Sequence, residues 1–310
     1  MANISYRSTE TITFTNGQSI PVVGLGTWRS TADEAYTAVK AALEVGYRHI
    51  DTAQAYGNEE VIGKAIRDSG IPRDQIFITT KLWCTDHTKP ELALRTSLEK
   101  LGLDHVDLYL MHWPVALNPN GKPSQIPVLP NGERDILTDW NFTKTWRAMQ
   151  PLVSLGLTKA IGVSNFSKKN LAVLLESETT TIQPEANQVE LHPYLPQHDL
   201  LDYCKAQNIV VEAYSPLGSS NSPLLKDDVV VAIAEKHNVS PATILISWAV
   251  WRKTVVLPKS VTPSRIETNL EIVPLSDDEG EELNKLHLKR GTKRFISPDW
   301  SPVNVFNDPF

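Results

Sequence analysis

The sequence predicts an α/β protein built as a (β/α)8 TIM barrel, and three observations carry that prediction. Eight short β-rich runs alternate with amphipathic segments to about residue 275. The intervening segments carry apolar residues at helical spacing, so the strands are joined by crossovers and run parallel. The main competitor, a doubly wound dinucleotide-binding sheet, wants GxGxxG after an early strand, and "GLGTWR" at 24 to 29 has Arg29 where the last glycine belongs. With 310 residues and 41% hydrophobic content, the chain can bury a full core, and the reading is one barrel domain over 1–310.

The elements follow in order. "ETITFTNGQSIPVVG" alternates apolar and polar residues around Asn16-Gly17, which predicts an N-terminal β-hairpin ahead of the barrel. The eight strands are expected at Val22–Gly24, Tyr47–Ile50, Ile76–Thr80, Val106–Met111, Ala160–Val163, Glu185–Val189, Ile209–Ala213 and Val255–Leu257. Between them, Ala35, Val39, Ala42 and Leu43 share a helical face, as do Leu94, Leu98 and Leu101, and then Phe142, Trp146, Met149 and Val153. Pro151 lies inside the third set and predicts a kink or an early end. Ser240-Pro241 supplies an N-cap and a first-turn proline for a helix carrying Leu245, Trp248 and Ala249. Two stretches fall outside the repeat. Residues 114–140 form a long proline-rich loop after strand four, of the kind that covers functional sites. Residues 289–310 form a polar tail with Phe295, Trp300, Phe306 and Phe310, expected to be an ordered loop packed on the barrel.

Whole-chain properties exclude several function classes. With 36 acidic and 30 basic residues the net charge is -6, which is no footprint for a nucleic-acid binder. Cys84 and Cys204 are too few and too far apart for a disulfide scaffold or a CxxC metal site. The N-terminus has neither a basic nor an apolar signal region, and the longest apolar run, 244–251, is short of a membrane span, so the expectation is a cytoplasmic protein with no membrane association.

Polar residues at the C-terminal ends of barrel strands face one mouth, which allows candidate site residues to be taken strand by strand. Strand two delivers Asp51, strand three Lys81 and strand four His112, with Tyr56 in the loop beyond Asp51. A phenol titrates near 10, so it exchanges protons poorly at neutral pH unless its anion is stabilised. A neighbouring ammonium does that, and a buried ammonium needs a carboxylate. On this reading Asp51 holds Lys81 charged, Lys81 lowers the pKa of Tyr56, and Tyr56 trades a proton with substrate. Taken singly, Asp51 could be a cap, Tyr56 packing, His112 a core histidine and Lys81 a Schiff-base amine. One shared site explains all four together.

Later strand ends carry different chemistry. Ser164 and Asn165 in "GVSNF" and Gln188 in "EANQVELHP" offer groups that pair with a carboxamide, and Tyr214 offers a flat stacking face. Lys259, Ser260, Thr262 and Arg265 follow strand eight, where barrels commonly bind phosphate, with Asn269 one helical turn on; an ordinary helix start capped at Thr262-Pro263 explains this stretch equally well.

Ordered along the chain, "VVGLGTW", "GYRHIDTAQAYGNE", "ITTKLW", "DLYLMHWP", "AIGVSNF", "NQVELHP", "VEAYSPLGS", "VVLPKSVTPSRIETN" and "SPDWSP" resemble the aldo-keto reductase superfamily, within it the NADP-dependent glycerol dehydrogenase and broad-range carbonyl reductase group. The resemblance spans nearly the whole chain and implies a monomeric barrel that uses NADPH and no metal. It implies a catalytic tetrad of Asp51, Tyr56, Lys81 and His112, and nicotinamide contacts from Ser164, Asn165, Gln188 and Tyr214 with Thr27 and Trp28 near the ring. It further implies pyrophosphate contacts from Ser215, Leu217 and Ser219, and 2′-phosphate contacts from Lys259, Ser260 and Arg265 within a segment that includes Val261 and Thr262. Asn269 falls on the adenine side, while Thr268 departs from the glutamate or glutamine of many relatives. Trp28, Trp83, Trp113 and Trp300 are expected to wall an apolar pocket for a small carbonyl substrate, closed by loop 114–140 and the tail. Glyceraldehyde-type and bulkier keto substrates fit the same tetrad. Two other readings stay open at this level: a lyase using Lys81 as a Schiff-base nucleophile, and an NADPH-binding regulatory or structural protein.

Overall fold

Eight parallel strands form one sheet in a computed structural model that describes residues 5–119, 126–219 and 222–307, seven of them overlapping the β-rich runs expected from the sequence. The strands are β1 (Leu25–Gly26), β2 (His49–Asp51), β3 (Phe77–Leu82), β4 (Val106–Met111), β5 (Thr158–Ser164), β6 (Ala186–Glu190), β7 (Val210–Tyr214) and β8 (Val255–Leu257). Each pairs with its neighbours in chain order. Parallel bridges from Val23 to Val256 and from Gly26 to Lys259 join the first strand to the last, so the sheet closes into a barrel.

That closure explains where the first strand departs from expectation. Residues 22–24, expected as strand one, bond toward β8: Val256 N–H donates to Val22 O at 2.7 Å and Gly24 N–H to Val256 O at 2.9 Å. The ladder with β2 is carried by the next two residues instead. Strand two also lies slightly later than expected, because Tyr47 turns outward and its hydroxyl donates to Ile266 O at 3.0 Å.

The helical faces form as their caps dictate. Thr31 closes a capping box on helix Ala32–Val45, and Ser240 accepts from Thr243 N at the start of Pro241–Trp251. The segment with Pro151 breaks into Phe142–Met149 and Pro151–Ser154, as a proline without an N–H requires. Among the described residues no single helix is long and apolar enough to cross a membrane.

Inside the barrel, the period-two alternation of each strand sorts residues into layers. Phe77, Leu108, Ala160, Ala186 and Val255 fill the N-terminal end, plugged from below by Phe14 and Ile20 of the hairpin Thr11–Thr13 and Ser19–Pro21. Gly17 turns that hairpin with φ 87°, a conformation glycine adopts without strain. Gly162 leaves room where a Cβ would stand 2.7 Å from Ala186 O. Further up, the same inward face turns polar: Phe77 gives way to Thr79 and Lys81 and Ala186 to Gln188 and Glu190, while Leu110 and Leu257 carry the apolar layer one step higher on their strands before His112 and Lys259. The dry floor and the polar mouth come from one alternating pattern.

Candidate active site

Lys81 stands at the centre of the mouth with no exposed surface. Its Nζ donates to both oxygens of Asp51 at 2.8 Å, to Thr52 O at 2.9 Å and to the Tyr56 hydroxyl at 3.3 Å. Burial alone pulls an ammonium down, but the charge and hydrogen bonds of Asp51, with Tyr56 adding to them, outweigh it and hold Lys81 above its ordinary value. Lys81 is therefore a fixed cation.

Tyr56 sits in the 3-10 turn Gln54–Tyr56 that leaves β2, ended by Gly57 at φ 69°. The expected lowering of its pKa by Lys81 is not the net result. Burial raises it first and most; Lys81 opposes that, Asp51 adds to it, and the phenol ends above its ordinary value. Protonated Tyr56 is the resting form throughout neutral pH.

His112 follows β4 and packs edge-on to Tyr56, with ring centroids 5.8 Å apart, and to Trp83 at 5.2 Å. Burial and the nearby Lys81 cation hold it well below the usual imidazole range, so the ring is neutral. Its Nδ1 is buried without a partner among the described residues. The four residues expected from four separate segments thus meet around one point, a phenol donor beside a neutral imidazole.

The residues after β5, β6 and β7 form the adjoining wall. Asn165, at φ 61°, donates to His112 O at 2.9 Å and to Ser164 Oγ at 3.1 Å, and accepts from the Tyr214 hydroxyl at 2.8 Å. Asparagine enters this left-handed region at low cost. Gln188 donates through Nε2 to Asp51 at 2.8 Å and to Glu212 at 3.2 Å, which leaves its carbonyl oxygen as the group it can offer. Thr27 donates to Asp51 O at 2.9 Å.

Further along the rim, Ser215 adopts φ 48° and Gly218 N–H returns to Ser215 O at 2.8 Å, so residues 215–219, including Leu217 and Ser219, make a tight turn. Lys259 and Arg265 are exposed, and Ser260 and Val261 half-buried. Ser260 Oγ accepts from Thr262 N at 3.1 Å, and Asn269 is buried beneath.

The tryptophans divide. Trp83, Trp113 and Trp300 join Val115, Leu117 and Val305 in one buried cluster, with Trp113 and Trp300 rings 5.2 Å apart. Trp28 is 36% exposed with the Arg29 guanidinium 4.3 Å over its ring, on the rim and outside that cluster. Loop and tail meet as expected, although residues 120–125 of the loop and Phe310 of the tail lie outside the described residues. Arg134 stacks 4.3 Å over Trp300 and donates to Asp299 O. At the tail's other end the buried Glu190 carboxylate accepts from Phe295 N at 2.6 Å and Ile296 N at 2.7 Å. Together, a cation–π contact and a hydrogen bond of this kind are worth about 1–2 kcal/mol. Arg134→Ala is thus expected to speed amide exchange in 297–306 about tenfold while leaving β3 and β4 protected, as read by hydrogen-exchange mass spectrometry.

Two groups escaped the sequence reading. Glu190 and Glu212 are both fully buried carboxyls in strands. The available signal was period two: Glu190 shares a face with Gln188, and Glu212 with Tyr214.

The family model "Aldo/keto reductase family" matches residues 22–287. The chain belongs to that family. Among aldo/keto reductases, it is 54% identical over 304 residues to glycerol 2-dehydrogenase (NADP(+)) of Saccharomyces cerevisiae, covering 96% of this chain and 97% of the relative. It is 51% identical over 304 residues to aldehyde reductase YPR1 of the same yeast, with the same coverage. The structure of aldose reductase from Schistosoma japonicum superposes with a TM-score of 0.84 at 40% identity, over 89% of this chain and 92% of that one.

Proposed function

We propose that this chain reduces aldehydes and ketones to alcohols with NADPH, and that Tyr56 donates the proton to the carbonyl oxygen. The observation that carries this reading is the Tyr56 hydroxyl held 3.3 Å from Lys81 Nζ, which is itself paired with the buried Asp51 carboxylate, with the His112 ring edge-on beside it. The names of the yeast relatives, an NADP(+) glycerol dehydrogenase and an aldehyde reductase, support the cofactor and the reaction class.

When bound, NADPH supplies a hydride at C4. The residues present fit it: Asn165 and Gln188 both present amide oxygens for a carboxamide NH2, Tyr214 has a flat face, and Lys259 and Arg265 are exposed cations within one segment. Ser164, Thr27 and Trp28 border the ring end, Ser215, Leu217 and Ser219 the pyrophosphate turn, and Ser260, Val261, Thr262 and Asn269 the adenosine end. His112 orients the carbonyl oxygen through a neutral ring nitrogen, and Tyr56 delivers its proton to the developing alkoxide. The phenolate so formed is stabilised by Lys81 and regains its proton from solvent. Trp83, Trp113 and Trp300 present apolar surface to the substrate, so selection is by shape, and glyceraldehyde, aromatic aldehydes and keto esters all fall within reach.

Lys81 itself argues against the lyase reading, because its N–H groups are taken by Asp51, Thr52 O and Tyr56 and its charge is held. A Schiff base needs a free amine. The reading is tested by NADPH oxidation with glyceraldehyde, an aromatic aldehyde and a β-keto ester, repeated with NADH. Turnover with NADPH preference is expected; NADPH binding without turnover on any of them points to a regulatory protein. Arg265→Ala weakens NADPH binding about 10–100-fold, the range for one charge-assisted contact, and leaves NADH binding unchanged, as read by titration calorimetry. Equal losses for both cofactors contradict 2′-phosphate recognition by Arg265.

A further inference from the structure

Below the mouth, the barrel holds a second carboxyl with no cation of its own. Glu212 on β7 has no exposed surface. Its Oε2 accepts from Gln188 Nε2 at 3.2 Å, its Oε1 is buried without a partner among the described residues, and the same Gln188 nitrogen donates to Asp51 at 2.8 Å. One amide NH2 thus bridges two buried carboxyls that share a single buried cation, Lys81. If both were ionised, the interior would carry an uncompensated negative charge, which burial penalises heavily.

We propose that Glu212 is a positioning residue that holds a proton inside the barrel at neutral pH and, through the Gln188 amide, keeps Asp51 the sole ionised partner of Lys81, so that the charge on Glu212 governs how readily Tyr56 gives up its proton.

The surroundings support that assignment. The inward neighbours of Glu212 are Gln188 and Glu190 on β6 and the apolar Val255 and Leu257 on β8, with Lys259 exposed at the end of β8. Across the barrel stand Asp51 and His49 on β2, Lys81 on β3 and His112 after β4, and Tyr214 lies above on its own strand. Glu190 is turned to His192 and to the tail's N–H groups, and His49 is held neutral by burial, with a value near 4. Burial first, and then the negative charge of Asp51, push the Glu212 carboxyl up to about 8.

The consequences have definite signs. Between the ordinary carboxylate value and about 8, the folded chain binds one more proton at Glu212 than the unfolded chain. Stability contributed by this group is therefore present at low pH and lost as pH rises through that window. Above it, ionised Glu212 adds a second negative charge beside the Asp51–Lys81 pair, draws on the Lys81 cation that stabilises the Tyr56 phenolate, and so raises the proton affinity of Tyr56. Glu212→Gln keeps the shape and the acceptor for Gln188 but removes the charge.

Three readouts on the full-length protein test this. Infrared difference spectra of wild type minus Glu212→Gln at neutral pH are expected to contain the carbonyl stretch of a protonated carboxylic acid; a carboxylate band there overturns the proposal. The melting temperature of wild type is expected to fall relative to Glu212→Gln between pH 5 and 9, and parallel curves overturn it. The third readout rests on the reductase reading above: the alkaline limb of kcat/KM for aldehyde reduction is expected about one pH unit lower in Glu212→Gln. A limb that does not move overturns the coupling to Tyr56. Absence of turnover in both proteins would contradict the reductase reading while the spectroscopic and thermal arms still decide the state of Glu212.

Discussion

Tyr56→Phe is expected to lower kcat for aldehyde reduction about 10²–10⁴-fold, the span for a positioned general acid, while leaving cofactor affinity and folding nearly unchanged. The hydroxyl it removes touches only Lys81 among the described residues, at 3.3 Å, and Lys81 retains both Asp51 oxygens and Thr52 O. Nothing buried is left unpaired, so stability stays within the range of a minor substitution. The loss lies in the proton-transfer step. Steady-state kinetics with cofactor titration checks this, and weakened cofactor binding with normal turnover would assign Tyr56 to the cofactor instead.

Lys81→Met has the second large effect, and it falls on both stability and turnover. It strips the cation from an Asp51 carboxylate that is 4% exposed, and breaking a buried pair on one side costs about 3–5 kcal/mol. Removing the second charge as well relieves that penalty: Lys81→Met with Asp51→Asn recovers much of the stability, since the introduced amide oxygen still accepts from Gln188, but recovers no turnover. Denaturant unfolding of the single and double variants separates the two contributions. A double variant that regains activity would show that the pair is scaffolding alone, and one that stays as unstable as the single variant would show that the penalty is lost packing around the lysine stem.

How much of this was legible in the sequence depended on whether one strand or several decided the outcome. Val106–Met111 and Val255–Leu257 lie where their β-branched and aromatic runs place them. The first strand is displaced because residues 22–24 bond toward β8, while the ladder with β2 is carried by Leu25–Gly26, of which Gly26 also bridges to Lys259, a division no local pattern encodes. Asp51, Lys81 and His112 could be gathered from strand ends because a closed parallel barrel turns those ends toward one mouth. The sign of the Tyr56 shift could not, because it is the difference between burial and two opposing charges. Trp28 parts from Trp83, Trp113 and Trp300 because it stays exposed on the rim under Arg29, whereas the other three are buried in one cluster that forms only when loop and tail meet. Glu212 was hidden in "VEAY", where a strand glutamate looks solvated until closure places it inside the barrel and Gln188 ties it to Asp51.

On the proposed reading, a hydride passes from NADPH to the carbonyl carbon at the barrel mouth while Tyr56 protonates the oxygen. The most direct test of that reading is the reaction of glyceraldehyde with NADPH deuterated at C4, each epimer in turn, followed by mass spectrometry of the alcohol. Deuterium at the carbinol carbon from one epimer with wild type, and about 10²–10⁴-fold slower transfer with Tyr56→Phe, is the expected result. Alcohol without deuterium from either epimer, or transfer at the wild-type rate in Tyr56→Phe, would contradict it.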